Sequence, residues 1–334
     1  RPCTVNEFLG NKTNVNMMRK SLDKGTLDHA VLFTGPAGCG KTTAARIIAL
    51  GLNCESTKVP TSTPCLECHS CRSILNQNDM DVLELNVGQS GGKDYVDSIA
   101  RELPNSPFSS RFKVIIFDEA HKLTTASQAL LLKIIEDGYR HVYFIFCTNE
   151  PEKLSEPFIQ RVKRMKFSPL PKEFIFDLLR NVAEFEAMSY TTEVLQHITN
   201  ESRGIPRVAL GYLKQINDEG SWTIAAAQEV VSMVSGADDP QIIEICRALV
   251  KGSFKDAAKL YDGIKEKIQP ESVRIAIVGY MTGCLLRSTS YPDGIKFSRA
   301  LDVLSPPIFE QGKLGDNKLI NHMFKTVCVI QGKL

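Results

Sequence analysis

The apolar positions of this chain change their spacing near its midpoint. In the first half, short unbroken apolar runs recur at residues 31–33, 114–117 and 142–147. That is the pattern of strands buried on both faces of a sheet. Residues 81–86 alternate apolar and polar, as a half-buried strand does, and residues 162–167 offer a short fifth strand. Between these runs, helical spacing appears at 15–22, 43–52, 95–103 and 124–136, with apolar residues at Ile47, Ile48 and Leu52 in the second stretch. Strands alternating with helices predict an α/β fold, a parallel sheet covered on both faces. From Pro169 onward the strand signals stop. Residues 172–188, 192–202, 207–217, 223–234, 241–251, 254–266 and 271–287 read as helices, and a weaker pattern runs to the end. A Gly-Ile-Pro turn falls at 204–206, and residues 236–240 (Gly-Ala-Asp-Asp-Pro) read as a linker. The expected organisation is an α/β domain over 1–168, a small helical domain over 169–236 and an all-helical domain over 237–334.

The stretch after the first strand brings in chemistry. Gly35-Pro36-Ala37-Gly38-Cys39-Gly40-Lys41-Thr42 matches G-x-x-x-x-G-K-[ST] between a strand and a helix. Glycines let the backbone curl so that its N–H groups face phosphate oxygens, and the helix N-terminus adds partial positive charge. Gly35 to Thr43 is therefore the candidate cradle for ATP. Lys41 would reach the β- and γ-phosphates, and the Thr42 hydroxyl would ligate Mg²⁺. The run 114–117 ends in Asp118 and Glu119, which places two carboxylates at the C-terminal edge of the sheet beside the loop. Asp118 is the second Mg²⁺ candidate, and Glu119 the residue to polarise an attacking water. Ordinary buried strands also end in acid; the acid pair points to catalysis because it follows a phosphate loop. His121 completes Asp-Glu-Ala-His and reads as a packing or hydrogen-bonding residue. The run 142–147 ends in Thr148-Asn149, and Thr148 is expected between the two acid residues, where it would sense the γ-phosphate or simply cap the strand.

Cys54, Cys65, Cys68 and Cys71 form C-x10-C-x2-C-x2-C, four thiols with the spacing of a tetrahedral Zn²⁺ site inserted at 54–71. Four thiolates close the shell, so the expected role is structural; His69, inside the knuckle, is a possible substitute ligand. The stretch 89–94 is expected to be a flexible loop before a helix, where Ser90 and Lys93 are candidate contacts to a DNA phosphate, and equally reads as a solvated loop.

Composition narrows the partners. At 334 residues and 43% hydrophobic content the chain has the make-up of an ordinary globular protein of about two or three domains. A formal net charge of +2 argues against a bulk electrostatic grip on nucleic acid. No apolar run approaches the ~20 residues of a membrane span, and no signal peptide is visible. The six cysteines outside the cluster are scattered, which suits a reducing, cytoplasmic compartment rather than a disulfide framework.

These motifs together resemble the gamma/tau family of bacterial replicative clamp-loader ATPases, which are AAA+ proteins. The resemblance runs from Arg1 to about Pro240. Arg1-Pro2, Phe8 and Leu9-Gly10 are similar to the family opening that borders the adenine, so Arg1, Pro2 and Leu9 are implied nucleotide contacts. The phosphate loop running straight into Pro64-Cys65 and the other cysteines is similar to the family's zinc module, RFKVIIFDEAHKL to its acid-bearing strand and HVYFIFCTNEPEKL to its sensor-1 strand. In GIPRVALGYL, Arg207 matches the family's sensor-2 arginine, which reaches the γ-phosphate from the helical lid. Gln160-Arg161-Val162 stands where the family carries Ser-Arg-Cys, so Arg161 is the implied arginine finger, acting on a neighbour's ATP. The resemblance further implies an open pentameric ring with other clamp-loader subunits, sealed by a C-terminal collar. Such a ring opens a sliding clamp and places it on primer–template DNA. A branch-migration type of AAA+ remodeller and a non-hydrolysing scaffold subunit are the alternatives.

Overall fold

The computed structural model describes residues 2–90, 93–235, 240–266, 268–288, 290–310 and 312–333, with the side chains of 89, 90, 93–95, 232–235, 240 and 287 outside that set. Arg1, residues 91–92 and residues 236–239 of the expected linker lie outside the described residues. The chain divides into two compact units, Arg1–Leu178 with Ser202–Val208, and Leu179–Glu201 with Ala209–Leu334.

The first unit opens with a 3₁₀ turn (Val5–Glu7) and α1 (Lys12–Asp23). Then follow β1 (Ala30–Thr34), α2 (Lys41–Asn53), α3 (His69–Leu75), β2 (Val82–Asn86), α4 (Val87–Ser90) and α5 (Lys93–Glu102). After these come β3 (Lys113–Asp118), a 3₁₀ turn (Ala120–Lys122), α6 (Thr125–Asp137) and β4 (Val142–Thr148). A further 3₁₀ turn (Pro151–Lys153), α7 (Glu156–Arg161) and β5 (Lys163–Lys166) complete the α/β series. The strands form one sheet in the order β2-β3-β4-β1-β5, and every neighbouring pair is parallel.

Burial follows the sequence pattern. All seven residues of β4 and all five of β1 are buried, as expected of central strands, while β5 buries only Met165 among its four residues. Its lysines and arginine keep that edge from pairing with another chain. On one face Phe117 and Phe146 stack at 5.1 Å, and Phe158 meets Phe146 edge-on at 4.9 Å. α6 begins where the Thr124 side chain accepts the Ser127 N–H, and it ends at Gly138 in the left-handed region.

The structure differs from the sequence reading at α3, which was not expected, and at the helix starts and loop that follow. Residues 89–90, expected as the start of a loop, instead end the short helix α4, in which the Gly88 N–H is held by the Asn86 side chain. The helix expected from Thr43 starts at Lys41, because Gly40 supplies the left-handed cap.

The remaining helices are α8 (Lys172–Phe185), α9 (Thr192–Glu201), α10 (Pro206–Glu219), α11 (Ile224–Ser235), α12 (Pro240–Val250), α13 (Phe254–Asp262), α14 (Pro270–Arg287), α15 (Tyr291–Leu304) and α16 (Gly312–Ile330). The weak C-terminal pattern thus resolves into two helices. Ile242, Leu249, Tyr261, Ile277, Leu319 and Met323 build one core among α12–α16. Within it Arg274 is almost fully buried and forks onto Glu271, which also accepts the Ile308 N–H at 2.7 Å. The guanidinium also donates to the Leu304 carbonyl. A buried charge persists only when so paired.

Candidate active site

The parallel sheet brings the loop after β1 and the acid at the end of β3 to the same edge. In the loop, Gly35 has φ 141°, and a Cβ there would lie 2.2 Å from the Phe167 carbonyl oxygen. Gly38 has φ 79°, and a Cβ there would meet Arg207 Cβ and Ile205 Cγ2, each at 2.9 Å. Both positions accept only glycine. The Phe8 ring lies over Gly40 and meets Phe167 edge-on at 6.0 Å. Pro2 and Leu9 are half-buried on the segment that carries Phe8. Arg1 lies outside the described residues.

Lys41 is buried, and its Nζ donates to the carbonyls of Gly35 and Pro36 at 2.8 Å each. The lysine that is to meet phosphate thus bridges the loop's own backbone. Burial lowers its pKa, opposed by nearby Cys147, Cys39 and Asp118 and assisted by Arg207. Burial likewise pushes the Cys39 thiol up to about 11, so this loop cysteine is a neutral packing group rather than a nucleophile. The Thr42 hydroxyl donates to Asp118 Oδ2 at 3.0 Å. These are the two oxygens expected to share Mg²⁺, and their separation fits one small ion held between them. The hydroxyl of Thr34, the last residue of β1, is buried without a partner among the described residues.

Glu119 sits in the left-handed region with φ 56°, a non-glycine conformation that only a fixed surrounding sustains. Its Oε2 is 2.6 Å from Lys122 Nζ, and the pair packs against Gly88 of α4. Thr148 is not between the two acid residues. β4 lies between β3 and β1, so Thr148 stands between the acid-bearing strand and the phosphate loop, opposite Thr34. Its buried Oγ1 is 3.2 Å from His121 Nδ1 and accepts the Glu150 N–H at 3.0 Å. His121 Nε2 lies 3.4 Å from Glu150 Oε1, and Glu150 Oε2 is 2.8 Å from Lys153 Nζ. The sequence reading missed Glu150 and Lys122. For Glu150 the available signal was an acid two residues after Thr148 with a lysine three residues further on.

Arg207, near the start of α10, is exposed at its tip while its stem lies on Gly38. Arg161 is not brought to this site. β5 pairs Lys163 with Val31 and Lys166 with Thr34, so Arg161 stands at the opposite edge of the sheet from the loop that follows Thr34. At about 3.3 Å per residue, roughly 15–20 Å of strand separates them, farther than an arginine side chain spans. Arg161 is exposed there. Ser90 and Lys93 have backbones at the end of α4 and the start of α5, and their side chains lie outside the described residues.

The four cluster sulfurs of Cys54, Cys65, Cys68 and Cys71 all lie within 4.8 Å of one another. Around one tetrahedral Zn²⁺ with ~2.3 Å bonds they would sit about 3.8 Å apart, so a small contraction suffices. Backbone N–H groups already aim at sulfur: Cys65 N–H at Cys54, Cys68 N–H at Cys65, and Cys71 N–H at Cys68. The N–H groups of Glu67 and Cys68 bring the Cys65 thiol down to about 6, while burial raises that of Cys71. His69 is exposed on the first turn of α3 and outside the cluster, because the helix turns it away from the thiols. Arg111 ties the module to the body through the carbonyls of Leu52, Cys54 and Thr57.

A family profile described as "DNA polymerase III, delta subunit" matches residues 10–171. DNA polymerase III subunit gamma/tau of Mycobacterium tuberculosis H37Rv is 34% identical over 80% of this chain and 46% of its own length. The chain is thus similar to DNA polymerase III gamma/tau subunits over most of its own length. The tau subunits of Escherichia coli K12 and Bacillus subtilis 168 are each 28% identical, over 84% and 87% of this chain and 43% and 51% of their own lengths. The chain therefore spans about half the length of these relatives. Among solved structures, the Thermotoga maritima RuvB Holliday junction branch migration motor aligns with a TM-score of 0.54 at 21% identity, over 75% of this chain and 79% of that one. That likeness is one of fold.

Proposed function

We propose that this chain is the ATP-hydrolysing subunit of a sliding-clamp loader, which opens the processivity clamp and sets it on primer–template DNA. The observation that carries the reading is the meeting of Lys41, Thr42 and Asp118 at one sheet edge, with Arg207 laid on Gly38. In this reading the N–H groups of the Gly35–Thr43 loop and Lys41 hold the β- and γ-phosphates. Thr42 and Asp118 would hold Mg²⁺, which would supply positive charge to offset that of the phosphates. Glu119 leaves Lys122 to orient the attacking water, and Arg207 caps the γ-phosphate. Arg161 serves the nucleotide of a neighbouring subunit. Residues 169–236 act as the lid and 237–334 as the collar of a pentameric ring, and Ser90 and Lys93 meet the DNA backbone. Identity to gamma/tau subunits over most of the chain favours this over a branch-migration remodeller, whose likeness rests on fold alone.

The test is ATP turnover by the chain assembled with its ring partners. DNA-stimulated turnover is expected to rise further when a sliding clamp is added, and the Lys41→Ala ring serves as the zero. DNA stimulation with no clamp response would favour the remodeller.

The four thiols are proposed to hold one structural Zn²⁺. Metal analysis of the purified chain is expected to give about one zinc, and Cys71→Ser to lose it together with protease resistance of residues 54–71. Structural zinc contributes about 10–16 kcal/mol in zinc-finger peptides, so the module has no comparable substitute for its metal. Full zinc retention by Cys71→Ser would remove that residue from the ligand set.

A further inference from the structure

The hydrogen bonds around Thr148 leave a question of direction. A threonine hydroxyl has one proton to give. Thr148 Oγ1 already accepts the Glu150 N–H, and its other buried contact is His121 Nδ1. On the far side of the ring, Nε2 faces the Glu150 carboxylate, which Lys153 holds by its other oxygen. A carboxylate only accepts, so the neutral tautomer that suits this contact carries its proton on Nε2. In the neutral ring Nδ1 is then a lone pair, and the Thr148 proton points at it. In this arrangement Thr148 has no proton to offer a phosphate.

We propose that His121 is a positioning residue that sets which way the Thr148 hydroxyl points, releasing it to the γ-phosphate only when Nδ1 has taken up a proton. This rests on the ATPase reading above and deepens it. The proton comes from solvent as the triphosphate binds, and it returns when the γ-phosphate leaves. With both ring nitrogens protonated, Nε2–H donates to Glu150 and Nδ1–H donates to Thr148, whose own proton turns to the phosphate. The imidazolium faces one carboxylate across 3.4 Å, and both side chains are about 95% buried.

The surroundings suit a group that changes state. The 3₁₀ turn Ala120–Lys122 is packed against β4, the Pro151–Lys153 turn and α4. From β4 comes uncharged Thr148, from the neighbouring turn Glu150 and Lys153, and from the histidine's own turn Glu119 and Lys122. The described side chains of α4 carry no charge. Burial, the largest influence, holds His121 below its ordinary pKa; Glu150 and Glu119 pull it up, and Lys153 and Lys122 pull it down. The ring is therefore neutral before nucleotide binds, and an arriving anion acts in the direction of protonation.

The proposal is tested by calorimetric titration of the full chain with Mg²⁺ and ATPγS, and separately with ADP, in buffers of different ionisation enthalpy. The difference in proton uptake between the wild type and His121→Asn cancels protons exchanged by the nucleotide itself. With ATPγS the wild type is expected to take up about one proton more than His121→Asn; with ADP the two should agree. Thr148→Ser should retain the difference and Thr148→Val should lose it, a contrast that a merely structural role would not produce. Should His121→Asn fail to fold, the comparison of Thr148→Ser with Thr148→Val carries the same test. Binding of ATPγS with equal uptake in all four proteins overturns the inference alone. Failure of wild type to bind either nucleotide overturns the ATPase reading beneath it.

Discussion

Arg161→Ala is expected to lower ATP turnover of the assembled ring by ~10³ or more while leaving nucleotide affinity nearly unchanged. Arg161 ends α7 at the sheet edge opposite the phosphate loop, exposed, and strand length alone keeps it from its own chain's nucleotide. A residue so placed contributes nothing to ground-state binding within one subunit, so its removal should not raise the nucleotide Kd. At an interface its guanidinium would meet charge that develops only as the γ-phosphoryl transfers, and that differential contact is what lowers a barrier. The measurements are nucleotide Kd by equilibrium titration and the hydrolysis rate by single turnover in the assembled ring. Loss of affinity with an unchanged rate would assign Arg161 to binding. An unchanged rate with unchanged affinity would remove it from the chemistry.

The sheet was legible because its central strands are buried on both faces. Residues 114–117 and 142–147 show unbroken apolar runs for that reason, and β3 and β4 fall on them. The phosphate loop was legible because steric demands at Gly35 and Gly38 leave no alternative residue, so the motif is written in the sequence itself. What stayed hidden depends on strand order and side-chain direction. Thr148 could be placed at a strand end but not between β3 and β1, since no local signal states that β1 sits fourth in the sheet. The Glu119–Lys122 pair and the His121–Glu150 contact are set by a left-handed residue and a 3₁₀ turn, and a backbone kink of that kind leaves no periodic trace. Helix α4 was missed because four residues with one glycine carry no readable period.

Glu119→Gln is expected to bind ATP as wild type does and to slow hydrolysis by about 10²–10⁴-fold, the range for loss of a positioned general base. The amide keeps the size of the carboxylate but cannot accept a proton from water. The hydrogen bonds of Lys41, Thr42 and Asp118, which hold the phosphates and Mg²⁺ in the proposed mechanism, run to the loop carbonyls, to one another and to the Glu119 backbone N–H rather than to the Glu119 side chain. The substitution also removes the charge partner of Lys122 at 2.6 Å. That pair is nearly half exposed on both sides, so its loss costs little stability. The effect of the variant should therefore appear in the chemical step and not in folding or affinity. Single-turnover hydrolysis with a thermal melt separates these outcomes. Rapid turnover by Glu119→Gln would transfer the base role to another group, and a large fall in melting temperature would recast the Glu119–Lys122 pair as a structural tie.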